Sequence, residues 1–427
     1  MSQVALIRVT GADQTGVTSM LMQHLSQVDS SILDIGQAVI HDNLVLGVLV
    51  EFADGIGVEL IVDDLAARLK AKEMRVKLTL IDDEQYHSWT LEQGKDRHIL
   101  TLLAAKLHAN HIARVTRFLA DNGLNIDKIT RLSGRVPLGK LSSAADEVSS
   151  TAENLACVEF SLRGRFQHET GVRERLLELA SQMEVDLAIQ SDDIYRRNRR
   201  VVVFDMDSTL IDAEVIDELA KEAGVGDQVS AITEQAMRGE LDFNESFSRR
   251  LALLQGLEVQ ALDRVAERLT LNDGVEKLMF MLKKLGYKTA IVSGGFTYFA
   301  EKLRQDLGFD YVYANHLEVV DGKVSGSVVG DIVNGERKAD LLKEIAQREG
   351  VSLQQVIAVG DGANDLPMLG LAGLGVAFRA KPLVRATAKQ SISSNGLDGV
   401  LYLMGISQRE LAVEEFEKPD IRQMLTG

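Results

Sequence analysis

A single cysteine, Cys157, stands among the 427 residues of this chain. One thiol excludes an intrachain disulfide and any metal site built on cysteine pairs. No apolar run approaches the roughly 20 residues needed to cross a bilayer. The first residues, MSQVALIRVT, lack the basic stretch and long apolar segment of a signal peptide. Together these absences predict a reducing, cytoplasmic setting. Positive charge is also in short supply: 47 Lys and Arg face 63 Asp and Glu, for a formal net charge of −16 and a pI near 5.1. Nucleic acid and anionic membranes need a basic footprint and are excluded as main partners. Small anionic substrates are not, because local groups bind them whatever the total charge. Low-complexity segments are absent too, and 45% apolar with 26% charged residues describes a globular protein. The length predicts about three domains.

Hydrophobic periodicity divides the front of the chain into two similar segments. Residues 4–9, 31–40, 44–52 and 75–81 read as strands, and 18–28 and 58–72 as amphipathic helices. The order β-α-β-β-α-β predicts an α+β ferredoxin-like sandwich over residues 1–85, with helices on one face of an antiparallel sheet. The order recurs over 97–190, with strands at 98–105, 125–131, 155–163 and 185–190 and helices at 112–121 and 171–183. Inside this second copy, residues 142–153 are small and polar and predict an exposed, mobile loop. Residues 192–200, with Arg196, Arg197, Arg199 and Arg200, read as a charged linker whose arginines are solvated or paired with the protein's own acidic surface. Trp89, in the polar stretch 82–97, reads as a packing anchor.

From Val201 the pattern changes to strands alternating with helices: 201–204, 288–292, 311–313, 356–359 and 374–377. This predicts an α/β domain with a doubly wound parallel sheet over 199–427, its ligand site beyond the carboxyl ends of the strands. Residues 213–270 are mostly helical and offer no strand, so they read as a helical cap inserted after the first strand. At the end of the apolar run Val201-Val202-Val203-Phe204 stands Asp205-Met206-Asp207-Ser208-Thr209. Two acids closing a buried strand are costly unless something pairs with them. A divalent cation facing an electrophile would do so; an aspartate-rich turn capping a helix uses the same residues. Three further motifs follow in order. Ile291-Val292-Ser293-Gly294-Gly295 ends an apolar strand in a hydroxyl and two flexible residues, Lys338 opens a helix over 338–348, and Gly360-Asp361-Gly362-Ala363-Asn364-Asp365 makes a glycine-rich acidic turn.

In order and spacing, across roughly residues 199–405, this series resembles the haloacid dehalogenase-like phosphohydrolases, and within them the phosphoserine phosphatases. The resemblance implies Mg²⁺-dependent hydrolysis of O-phospho-L-serine to L-serine and phosphate through an aspartyl-phosphate, the last step of serine synthesis. It implies Asp205 as nucleophile and Asp207 as general acid and then base. The metal would be held by Asp205, the backbone carbonyl of Asp207 and Asp361, with Asp365 in support. Ser293, the Gly294 amide and Lys338 would bind the phosphoryl oxygens, and Asn364 would join the same shell. In the cap, Glu214 would pair with the substrate ammonium and Arg250 with its carboxylate, while Met237 and Phe243 supply an apolar wall. Taken singly, these four read as ordinary solvated or core helix residues.

The segment Thr10-Gly11-Ala12-Asp13-Gln14-Thr15-Gly16-Val17, with Asp34-Ile35-Gly36-Gln37, resembles the ACT domain, which senses amino acids. That implies an effector such as L-serine near Asp13 and Gly16, and pairing of such domains in a homodimer. In the second copy Leu107 and Asn110 stand at the corresponding places, so its fold is implied but a ligand role is not. Two other readings stay open at this point: a relative acting on phosphohomoserine or phosphothreonine, and an amino-acid sensor with an inactive phosphatase domain. On the phosphoserine phosphatase reading, removal of residues 1–190 is expected to leave a chemically competent domain that has lost any response to serine.

Overall fold

The computed structural model describes residues 2–134, 155–167 and 171–412, apart from the side chains of Met237 and Ala412. The expected loop at 142–153 lies outside the described residues. The chain divides into two compact units, Met1–Lys95 and Asp96–Gly427.

In the first unit, β1 (Gln3–Ala12), β2 (Ser30–Ile40), β3 (Asn43–Phe52) and β4 (Arg75–Ile81) form an antiparallel sheet in the order β2-β3-β1-β4. Alternation decides which face is covered. Leu44, Leu46, Val48, Val50 and Phe52 of β3 point inward onto Val17 and Leu21 of the helix Val17–Leu25 and onto Val62 and Leu65 of the helix Val58–Lys70. Residues 82–97, read from sequence only as polar, contain a helix, Asp83–Gln93. Asp82 accepts from the Gln85 amide at 2.7 Å and Gln85 accepts from the Asp82 amide at 3.3 Å, a reciprocal cap. No residue of this helix is buried, and Trp89 packs on Tyr86 of the same helix, not into a core.

The second unit opens with β5 (Arg97–Ala104), β6 (Asn125–Arg131), β7 (Ala156–Arg163) and β8 (Asp186–Ser191), in the order β6-β7-β5-β8. Topology repeats the first unit, but burial does not. In β5, Leu100, Leu102 and Ala104 face this sheet's own helices, whereas Leu103 joins Cys157, Ala188 and Leu132 in the core of the parallel-sheet domain. Its two faces are therefore covered by two different layers, which is why the strand reads as an almost continuous apolar run.

The parallel sheet comprises β9 (Val201–Phe204), β10 (Lys288–Phe296), β11 (Tyr311–Val320), β12 (Lys323–Val329), β13 (Val356–Gly360), β14 (Leu374–Phe378) and β15 (Gln390–Ile392), in the order β12-β11-β10-β9-β13-β14-β15. β9 is central. Val202 and Phe204 enter one core layer, Val201 and Val203 the other, and all four are fully buried. Beyond the predicted strands lie the antiparallel partner β12 and the edge strand β15. Helices Val215–Glu222, Gly226–Met237, Phe243–Ala252 and Gln260–Arg268 form the cap. Its two ends are tied by the bridge Ile211–Leu271 and by the Asp212 amide donating to the Thr270 carbonyl at 3.0 Å. Among the described residues, no helix is long and apolar enough to cross a membrane.

β8 and β15 meet edge to edge through side chains. The Gln390 amide bonds both the N–H of Ile189 and its carbonyl, standing in for a backbone strand. Asp186 accepts from the Ser393 amide at 2.7 Å, the Ser394 amide at 3.2 Å and Asn395 Nδ2 at 2.6 Å. The supposed linker is the third part of this seam. Arg197 and Arg200 are solvated as expected, but Arg196 and Arg199 are buried, at 2% and 4% exposure. Arg196 pairs with the buried Glu159, and Arg199 donates to Gln190 at 3.0 Å. The acidic partner is thus inside the protein, not on its surface, and a charged run that looked like a spacer is packed. A separable fragment would begin near residue 96, not at 191.

Candidate active site

Strand β9 delivers Asp205, and the loop after it delivers Asp207. The Met206 amide donates to Asp205 Oδ1 at 2.7 Å, while Asp205 Oδ2 lies 2.8 Å from Lys338 Nζ. Lys338 has no exposed surface and also meets Asp365 Oδ1 at 2.7 Å. Burial alone would lower this ammonium, but Asp205 and Asp365 outweigh it and hold it above its ordinary value. Its helix begins earlier than the sequence indicated, at Gly335, because the Asn334 side chain caps the Arg337 amide at 3.0 Å. Lys338 consequently sits in the first helical turn, pointing at the end of β9.

Strand β13 ends in the turn that carries Asp361, Asn364 and Asp365. One oxygen each from Asp205, Asp361 and Asp365 lie within 4.8 Å of one another. Burial is the main force on both partners of Asp205, and mutual repulsion adds to it: the Asp361 carboxyl is pushed up to about 8 and that of Asp365 to about 7. Asp361 also accepts from Thr209 Oγ1 at 3.4 Å. Three converging carboxylates with one ammonium leave a deficit of positive charge, and hard oxygen donors at this spacing fit a small divalent cation. The Asp207 carboxylate is not in the cluster, so only its backbone carbonyl is available for the metal role that the resemblance implied.

Asp207 stands beside the cluster. Burial, then Glu214 and Asp205, raise its carboxyl well above the usual range. Its Oδ1 accepts from the Val215 amide at 3.3 Å. A Cβ at Gly295 would lie 2.6 Å from Asp207 Oδ2, so a larger residue there would displace the Asp207 carboxylate. Ser293 is fully buried; its Oγ accepts from the Gly295 amide at 2.9 Å, which leaves its proton free to be donated. The Gly294 carbonyl accepts from Asn315 Nδ2 at 2.8 Å, and Asn315 Oδ1 accepts from the Val333 amide at 2.9 Å. Asn315, which the sequence reading did not single out, therefore fixes the Ser293-Gly294-Gly295 turn.

The cap residues converge on the same space. A Cβ at Gly294 would meet Phe243 Cζ at 3.0 Å and Asn364 Nδ2 at 3.8 Å, which places both residues over the turn. Phe243 stacks on Phe247 at 6.1 Å. Glu214 accepts from Ser208 Oγ at 2.9 Å. Burial raises its carboxyl, although water reaches the side chain, and the rise is smaller than at Asp207. The half-buried Arg250 is lowered by burial and drawn back up by the charges of Glu214, Asp217 and Asp207. The side chain of Met237 lies outside the described residues. In the first unit, Asp13 and Gly16 line a recess of about 400 Å³ together with Gln37, whose Oε1 accepts from Thr18 Oγ1 at 2.8 Å.

Residues 199–373 match the model of the haloacid dehalogenase-like hydrolases, and 3–79 and 96–190 each match an ACT domain. A phosphoserine phosphatase of Mycobacterium tuberculosis is 39% identical over 98% of this chain and 97% of its own length. The chain belongs to the phosphoserine phosphatase family. Within that family a Streptomyces coelicolor phosphoserine phosphatase is 37% identical over 97% of this chain and 95% of its own. Among solved structures, a haloacid dehalogenase family hydrolase of Salmonella enterica serovar Typhi superposes with a TM-score of 0.60 at 32% identity, over 72% of this chain and 98% of that one. A probable phosphoserine phosphatase of Vibrio cholerae gives 0.56 at 32% identity, over 76% and 91%. As a member of the phosphoserine phosphatase family, this chain is a hydrolase with a haloacid dehalogenase-like catalytic domain and two ACT domains.

Proposed function

We propose that the chain is a Mg²⁺-dependent phosphatase of O-phospho-L-serine, with L-serine acting at the first ACT domain. The observation that carries the chemistry is the contrast between neighbouring acids. Asp205 is paired with Lys338, whereas Asp207 makes no ion pair among the described residues and burial raises its carboxyl well above the usual range, which favours the proton-carrying form. Asp205 attacks phosphorus, and the bond to the seryl oxygen breaks as Asp207 passes its proton to that oxygen. Asp207, now a base, takes a proton from the water that attacks the aspartyl-phosphate, releasing phosphate and restoring Asp205. Lys338, the Ser293 hydroxyl and the Gly294 amide hold the phosphoryl oxygens throughout. Asp205, Asp361 and the Asp207 carbonyl would hold Mg²⁺, with Asp365 behind them; when bound, it neutralises a phosphoryl oxygen facing Asp205. Glu214 and Arg250, whose charges both act on Asp207, match the ammonium and carboxylate of an amino-acid phosphate, and Phe243 would close the apolar side.

A substrate panel tests this reading. kcat/KM for O-phospho-L-serine is expected to exceed that for phosphoglycolate, which lacks the ammonium, by on the order of 100-fold, since Glu214 would then be enclosed beside the substrate without its cationic partner. Better turnover of a phosphate without an amino group would refute the assignment of Glu214. Better turnover of phosphothreonine or phosphohomoserine would keep the mechanism and move the substrate.

The acid cluster predicts a metal response with a defined sign. Asp361 and Asp365 hold protons more tightly in the folded state, at about 8 and about 7, than at the ordinary 3.8. Without metal, their ionisation therefore costs stability progressively as pH rises from about 4 to about 8. Mg²⁺ displaces those protons, so it is expected to raise the thermal midpoint more at pH 8 than at pH 6. An equal or larger rise at pH 6, in a scanning calorimeter, would show that these acids are not the ion's ligands.

A further inference from the structure

We infer that Asn272 is a positioning residue for the reaction: it clamps the loop that carries Asp207 to the base of the cap. Asn272 is 5% exposed and lies where the chain returns from the cap to the core. Its side-chain Nδ2 donates to the carbonyls of Ser208 at 3.3 Å, Thr209 at 3.0 Å and Ile211 at 3.2 Å, and its backbone N–H donates to that of Leu210 at 2.9 Å. One residue thus takes up four carbonyls of the turn that follows Asp207.

The orientation of the amide is fixed from the other end. Asn272 Oδ1 accepts from Arg379 Nη1 at 3.1 Å, and Arg379 Nη2 donates to Asp273 Oδ2 at 3.1 Å. A guanidinium on one side and three carbonyls on the other leave only one assignment of oxygen and nitrogen. Arg379 is itself held at the end of β14 by its amide donating to the Ile392 carbonyl at 2.7 Å, with a left-handed φ of 44°. Ser208, inside the clamped turn, is also left-handed, at φ 55°. A non-glycine residue in that conformation persists where the surroundings over-determine it, and here the Asn272 amide does so.

The consequence is geometric. Asp207 must aim at the leaving oxygen while its backbone carbonyl faces the acid cluster, and both depend on the turn at 207–211. The cap leaves and re-enters the core across the same few residues, through Asp212 to Thr270 and Ile211 to Leu271. Asn272 thereby sets Asp207 against both the nucleophile strand and the hinge of the cap. A displacement of about 1 Å at a reacting group costs up to roughly 100-fold in rate.

This inference rests on the phosphatase reading but not on the choice of substrate, so the test uses O-phospho-L-serine and para-nitrophenyl phosphate in parallel, with the full chain and Mg²⁺. Asn272→Ala is expected to lower kcat by about 10- to 100-fold on whichever substrate the wild type turns over, with KM changed by less than about threefold. Arg379→Met keeps the amide but frees its orientation, and is expected to give a smaller loss of the same kind. If Asn272→Ala proves unstable, Arg379→Met alone decides, with the thermal midpoint recorded beside the kinetics. A lowered midpoint with kcat unchanged, or a raised KM with kcat unchanged, overturns the inference. Wild-type turnover of the aryl phosphate but not of O-phospho-L-serine would refute the substrate reading while leaving this test intact.

Discussion

Asp205→Asn is expected to stop phosphate release almost completely, by about four orders of magnitude or more in kcat, the scale of losing a nucleophile in other covalent hydrolases. The amide cannot attack phosphorus, and it withdraws one of the two carboxylates that hold Lys338. The fold should survive, because Asp365 still pairs with Lys338 at 2.7 Å and the flanking strand β9 is buried through Val201, Val202, Val203 and Phe204. Three readouts separate this from general damage: single-turnover phosphate release, capture of a phosphorylated protein after rapid acid quench, and the far-UV circular dichroism spectrum. An inactive variant with a native spectrum and no phosphoprotein is the expected combination. A variant that still accumulates phosphoprotein would place the covalent step on another residue.

Lys338→Met should have the next largest effect, and on two quantities at once. Removing the ammonium leaves Asp205 and Asp365 facing each other in a fully buried site, where breaking an ion pair costs about 3–5 kcal/mol. It also removes a charge aimed at the phosphoryl oxygens, a loss of about 100- to 1000-fold in kcat. The two effects differ in pH dependence. Asp365 already titrates at about 7, so at pH 6 it takes up a proton and relieves part of the repulsion. The variant's deficit in thermal midpoint should therefore be wider at pH 8 than at pH 6, while its kcat stays low at both. A midpoint equal to wild type at pH 8 would mean that Lys338 is not the counter-charge of the site.

Much of this site could be read from sequence because its residues sit at the ends of recognisable elements. Val201-Val202-Val203-Phe204 announces a two-sided buried strand, and the acids one and three positions beyond it must lie at its carboxyl end. Asp361 follows its strand in the same way, and Ser293 follows the regularly paired part of β10, whose register with β11 breaks after Val292. Lys338 was identifiable, but the start of its helix was not, since Asn334-Gly335 reads equally as turn or cap. The antiparallel partner β12 did carry a signal, the pair Asp321-Gly322, which suits a tight hairpin. A search for parallel strands passes over it. Asn272 and Asn315 had no signal at all: each is one amide in an unremarkable stretch, and its role exists only through carbonyls distant in sequence. Arg196 and Arg199 were misread for the opposite reason. Four arginines in nine residues suggest a solvated run, and only the buried Glu159 and the Gln190 side chain turn two of them inward.

The join between β8 and β15 carries a consequence for handling the protein. β15 has three residues, and its outer neighbour is a side-chain ladder in which Gln390 reaches Ile189 of the second ACT domain and that domain's Asp186 reaches back to the Ser393 and Ser394 amides. A fragment starting at 199 would uncover that edge, with the free Gln390 amide, the Ser393 and Ser394 N–H groups and the apolar surface that Leu103 and Ala188 cover. Bare strand edges beside apolar surface recruit other chains. The second ACT domain is therefore also a guard against self-association, and its absence should show first as turbidity and only later as lost turnover.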